Sequence, residues 1–129
     1  PLHLTFLSHI PRYQDETYLI THLLRWQPET ILNLPDGIGF MPFHIPGSTE
    51  LMTANAIWSR NHRLVVWAKH GVIARSDKSL MNAVDLIEYA ETAARYEYLN
   101  FAAGEPASGL SREEIRSICL ANNIQQTYF

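Results

Sequence analysis

Val65-Val66-Trp67-Ala68-Lys69-His70-Gly71-Val72-Ile73 is an apolar run, a histidine, a glycine and a second apolar run. Val, Ile and Trp favour a pleated, buried strand. Gly71 permits a turn or a close backbone approach. The stretch therefore reads as two strands joined at His70, with the imidazole held at the junction, inside or beside a core. A histidine so placed suits metal ligation, which needs a fixed donor. Zinc takes about three protein ligands in a catalytic site and about four in a structural one, so one histidine is not a site.

Just upstream, Pro46-Gly47-Ser48 is a turn, and Ser48 is the natural N-cap of a helix over 49–60 with Leu51, Ala54, Ile57 and Trp58 on one face. Asn61-His62-Arg63 ends that helix, and His62 is expected in solvent. Pro35-Asp36-Gly37 is turn chemistry. Residues 37–43 read as a strand interrupted at Pro42, hence an edge or a bulge. Residues 29–34 form a short strand candidate. Pro28 before them is expected to close a helix that runs from an Asp15 cap to Trp26. At the start, Leu2, Phe6 and Ile10 recur at fourfold spacing, which predicts a buried helix ending before Pro11.

Downstream, Ser76-Asp77-Lys78-Ser79 is a turn and cap, and a helix follows over 80–103. Its apolar stripe is Leu80, Ala83, Val84, Ile87, Ala90, Ala94, Tyr98 and Phe101, with Glu88, Glu91, Arg95 and Glu97 assigned to a solvated face. Gly104 is a C′ stop with Pro106 beyond it. Ser111-Arg112-Glu113-Glu114 is a capping box that opens a last helix. The tail, 125–129, is expected to fray. Together these elements predict an α/β protein in layers, with a largely antiparallel sheet flanked by helices.

The chain has 129 residues, 47% of them apolar and 18% charged, which is enough for one domain with a core. A net charge of −3 gives no case for nucleic acid or an anionic membrane. No apolar run reaches the ~18 residues of a membrane span. The one cysteine, Cys119, excludes an intrachain disulfide framework and fits a reducing, cytoplasmic setting. Its place in an apolar helix face predicts a buried structural thiol. Neither GxGxxG nor GxxxxGK[ST] occurs. The opening Pro1-Leu2-His3 has no Met and reads as though cut from a longer protein.

Two side chains stand out chemically: His70 at the strand junction, and Glu29 beside Pro28. A metal-bound histidine with a nearby carboxylate can polarise a carbonyl and move a proton. The alternative is a buried histidine satisfied by a backbone carbonyl, with Glu29 in solvent.

The segments Leu34-Pro35-Asp36-Gly37-Ile38-Gly39, Pro46-Gly47-Ser48-Thr49-Glu50, Leu64-Val65-Val66-Trp67-Ala68-Lys69-His70-Gly71-Val72 and Ser111-Arg112-Glu113-Glu114 carry a resemblance. In order and spacing they resemble the C-terminal half of class II (zinc-dependent) sugar-phosphate aldolases, most nearly the L-rhamnulose-1-phosphate aldolases. The resemblance implies a three-layer α/β/α fold around an antiparallel sheet, with residues 1–129 the C-terminal part of a single domain whose N-terminal half is missing. It also implies a homotetramer. The implied reaction is reversible cleavage of L-rhamnulose 1-phosphate, a step of rhamnose degradation, to dihydroxyacetone phosphate and L-lactaldehyde. The implied cofactor is Zn2+, held by three histidines. One matches His70, and the other two form a His-x-His pair immediately before Pro1, which leaves His3 a non-ligand. A carboxylate matching Glu29 sits near the metal and takes part in catalysis. The family's phosphate-binding loops and general base are absent from this sequence, so the chain alone is expected to be inactive. Related readings are another ketose-1-phosphate aldolase, a pentulose-phosphate 4-epimerase, or a non-catalytic adducin-head-like oligomerisation module.

Overall fold

A computed structural model describes residues 1–104 and 106–129. Among the described residues, six helices and three strands follow one another as α1 (Leu2–Leu7), α2 (Glu16–Leu23), α3 (Pro28–Asn33), β1 (Gly39–Met41), α4 (Thr49–Asn61), β2 (Leu64–Trp67), β3 (Gly71–Ala74), α5 (Leu80–Ala103) and α6 (Arg112–Ala121). Short 3-10 turns over Pro11–Gln14 and Leu24–Trp26 flank α2.

The sheet runs in the order β1-β2-β3. β1 and β2 are parallel, with Phe40 opposite Val66, and α4 is the crossover between them. β2 and β3 form the antiparallel hairpin read from the sequence, with Trp67 opposite Gly71. Side chains alternate across the sheet. Met41, Val65, Trp67 and Ile73 meet Leu51, Ala54 and Trp58 of α4. Phe40, Leu64, Val66 and Ala68 face the main core, built with Leu4 and Leu7 of α1, Leu19, Ile20 and Leu23 of α2, Ile31 of α3, Leu86 and Ala90 of α5, and Ile115 of α6. Helices thus cover both faces, and the molecule is a three-layer α/β/α arrangement.

The caps lie where the sequence puts them. Ser48, Ser79 and Asp15 each accept a first-turn backbone N–H. Ser111 and Glu114 form the reciprocal capping box. Gly104 ends α5 in the left-handed region at φ 67°. Cys119 is buried in α6.

Several expectations are corrected. Residues 29–34 are not a strand: Pro28 opens α3 instead of closing α2, because its fixed φ suits a first helical position. Thr30 Oγ1 then donates to the carbonyls of Leu24 and Gln27, both at 2.7 Å, and folds the segment back on the preceding turn. The first helix stops at Leu7 and buries Leu4 and Leu7, not Leu2 and Phe6, which face outward. The inward face of α5 is rotated from the stripe read in the sequence: Ala83, Ala90 and Ala94 are buried as expected and are joined by Leu86 and Ala93, whereas Leu80, Val84, Tyr98 and Phe101 are exposed. The small alanines let α1 and α3 approach closely. His62 is buried, its ring packed under Gly39 and its Nε2 3.3 Å from Glu16 Oε1. The tail is not frayed. Tyr128 and Phe129 pack on the core, and Gln126 Oε1 accepts both of their backbone N–H groups.

Glu97, read as solvated, is the largest departure. It is 2% exposed and accepts from Tyr13 Oη at 2.5 Å and from Trp26 Nε1 at 2.7 Å, with Arg25 Nη2 at 3.4 Å. A buried carboxylate is tolerated only when paired and hydrogen-bonded in this way. Burial first, and the Glu97 carboxylate second, push the Tyr13 hydroxyl well above the usual phenol range.

Candidate active site

His70 sits in the three-residue turn Ala68-Lys69-His70 that joins β2 to β3. Three backbone donors fix the turn. Ala68 N–H donates to Met41 O at 3.0 Å, which ties the turn to β1, and His70 N–H donates to Trp67 O at 3.0 Å. Lys69 N–H donates to Ser8 Oγ at 2.8 Å, which ties it to the end of α1. Lys69 itself takes a left-handed conformation, φ 62°, the twist a short hairpin loop needs. These bonds leave the imidazole free. It is exposed, edge-on to Trp67 with ring centroids 5.3 Å apart.

The ring opens on a cleft of about 430 Å³ lined by Pro1, Leu2, Thr5, Phe6, His9 and His70 with Gly71. The segment that enters α1 and the His70 turn therefore face one space. Ser8, which sequence reasoning passed over, is fully buried, and its hydroxyl donates to Thr5 O at 2.6 Å as it accepts from Lys69. The only local signal is a hydroxyl within an apolar run, and its partner lies 61 residues away.

Glu29 is exposed on the first turn of α3 and is not among the residues of this cleft. Of the two residues picked out from the sequence, His70 lines this cleft and Glu29 does not. His3, the expected non-ligand, is engaged elsewhere: its Nδ1 lies 2.9 Å from Glu91 Oε1. Among the described residues no group of three His, Cys, Asp or Glu could hold a metal ion. His70 offers a competent donor, but the residues present do not by themselves fit zinc.

No family model matches the chain. It is 28% identical over 124 residues to a rhamnulose-1-phosphate aldolase from Bacteroides thetaiotaomicron, covering 96% of this chain and 46% of that protein. It is 33% identical over 104 residues to one from Escherichia coli, covering 79% of this chain and 37% of that protein. Against one from Yersinia pestis the identity is 32% over 111 residues, covering 84% and 39%. A solved sugar-phosphate aldolase from Thermotoga maritima superposes with a TM-score of 0.72 at 31% identity, covering 84% of this chain and 45% of that one. The chain spans less than half the length of each of these proteins. It has the sequence and fold of part of a sugar-phosphate aldolase, and the match fits the C-terminal half, with rhamnulose-1-phosphate aldolases among its relatives.

Proposed function

We propose that the complete protein is a zinc-dependent aldolase that cleaves L-rhamnulose 1-phosphate to dihydroxyacetone phosphate and L-lactaldehyde, within rhamnose degradation. The observation that carries the reading is the mounting of His70: an exposed imidazole on a turn fixed by three backbone N–H donors, two to backbone carbonyls and one to Ser8 Oγ, facing the entry to α1. The relatives support the aldolase class by their names. In the cleavage the C3–C4 bond breaks, the C4 hydroxyl loses its proton to become the aldehyde, and C3 gains a proton. Zinc, when bound, would supply a Lewis acid that polarises the ketose oxygens.

In this reading His70 supplies one imidazole, and a His-x-His pair ahead of Pro1 supplies two more; Pro1 lining the same cleft supports that arrangement. Glu29 does not line the cleft; in this reading its part in proton handling is played in the complete protein, assembled as a homotetramer.

The test is metal analysis of the complete protein, together with cleavage of L-rhamnulose 1-phosphate before and after chelation. About one zinc per chain and chelator-sensitive cleavage are expected. Full activity in metal-free protein overturns the zinc assignment, and absence of cleavage with retained 4-epimerisation overturns the aldolase one.

A further inference from the structure

α1 is only six residues long and has no capping side chain of its own: Pro1 stands at the N-cap. So short a helix is unstable unless held from outside, and its first N–H groups have no partner within the helix. Glu91, on α5 and almost ninety residues away, supplies them. Its Oε1 accepts His3 N–H at 2.8 Å, and its Oε2 accepts Leu4 N–H at 2.9 Å. The His3 ring adds a third contact, Nδ1 at 2.9 Å from Oε1, and lies edge-on to Tyr98 of the same helix, ring centroids 5.5 Å apart. A carboxylate at this end also complements the helix dipole. At the other end, Ser8 Oγ accepts Lys69 N–H in the turn that carries His70. α1 is thus a short rod pinned by Glu91 at one end and fastened to the His70 turn at the other. Leu4 and Leu7, both fully buried, hold it against the core between the two pins.

We infer that Glu91 is a positioning residue for the reaction, acting through α1 and Ser8 to set the place of His70 against the opposite wall of its cleft. Glu91 does not line that cleft, so its effect is indirect. The inference rests on the aldolase reading for its catalytic consequence, but the mechanical link from Glu91 to Lys69 does not depend on which reaction is catalysed. Misplacing a reacting group by about 1 Å can lower turnover by ~100-fold.

The experiment is Glu91→Gln in the complete protein, with Ser8→Ala as the variant that cuts the same link at its far end. Glu91→Gln keeps the side-chain shape and one acceptor, which favours a folded product. Amide hydrogen exchange at His3, Leu4 and Lys69 is measured alongside kcat and KM for aldol cleavage. The expected result is exchange about 10-fold faster at all three amides in Glu91→Gln, including Lys69 beyond the far end of the helix. It should come with a fall in kcat of about 10-fold or more at nearly unchanged KM. Ser8→Ala should lower kcat similarly while leaving His3 and Leu4 protected. Faster exchange confined to His3 and Leu4 makes Glu91 a local cap and overturns the inference, as does unchanged kcat in a folded variant. A wild-type protein without aldol cleavage defeats the proposed function instead; the Lys69 exchange rate then decides the Glu91 link alone.

Discussion

Trp26 donates its indole N–H at 2.7 Å, across 71 residues of sequence, to Oε2 of Glu97, a carboxylate only 2% exposed. With Tyr13 on the other oxygen, one carboxylate joins the turns on both sides of α2 to the long helix α5. Replacing Glu97 by Leu strands the buried Tyr13 hydroxyl and the half-buried Trp26 indole N–H, each costing about 1–3 kcal/mol when unpaired. We expect Glu97→Leu to lower unfolding stability by about 3 kcal/mol in urea titration, and Glu97→Gln, which keeps an acceptor, by less than half of that. Equal losses would mean that charge, not hydrogen bonding, makes the contribution.

Gly37 and Gly47 separate packing from backbone strain. Both have positive φ, 77° and 79°. A Cβ on Gly37 would stand 2.8 Å from Ile20 Cδ1 and 2.9 Å from Tyr128 Cε2, whereas one on Gly47 meets nothing within 4 Å. Gly47→Ala should therefore cost only the left-handed strain, about 1 kcal/mol. Gly37→Ala adds overpacking of about 2 kcal/mol and should loosen Tyr128 from the Pro-Asp-Gly turn. Comparing the two melting temperatures tests this, and similar losses would contradict the crowding.

Acid should weaken the α1–α5 contact. Burial raises the Glu91 carboxyl, but hydrogen bonds from Leu4 and His3 outweigh that and hold it below the usual carboxylate range. Its folded-state value is thus depressed. The stability it adds is present above the unfolded value of about 4.3 and is lost as pH falls through the lower folded one. Urea midpoints measured from pH 6 down to pH 3 should fall less steeply in Glu91→Gln than in the wild type. Parallel curves would argue that the carboxylate is not held in this way.

Removal of the His70 imidazole should separate chemistry from folding. The ring is exposed and the turn is held by backbone bonds, so His70→Ala should change stability by no more than about 0.5 kcal/mol. Aldol cleavage by the complete protein should fall by more than the ~100-fold typical of a change one step removed from a metal. A folded variant with near-normal turnover would remove His70 from the active site.

What could be read from the sequence was what local chemistry decides. The hairpin about His70 follows from two apolar runs and a glycine. The caps at Ser48, Ser79 and Ser111 and the stop at Gly104 follow from residues three or four positions apart. What escaped depends on distant partners. Residues 29–34 look like a strand until Thr30 is seen bonding back to Leu24. Glu97 looks solvated until Tyr13 and Trp26 arrive from the other end of the chain. His62 looks solvated until Gly39 leaves room for its ring. For the candidate site, the turn that carries His70 was legible because its setting is contiguous. Ser8 and Glu91, which tie its turn to α1 and α1 to α5, were not, because their partners lie 61 and almost ninety residues away. Glu29 was picked out by its chemistry beside Pro28 and by the resemblance, and it does not line that cleft.

The hydrogen bonds described for the turn at residues 68–70 run from its backbone N–H groups to main-chain carbonyls and the Ser8 hydroxyl, and Ala68 seats it in the core. Among the described residues the side chain at position 70 makes no hydrogen bond, and its ring meets only the edge of Trp67. The turn behaves as a socket: Cys, Asp or Glu could be installed there with the backbone already in place, so this is the position at which to exchange one donor chemistry for another in a redesigned catalyst.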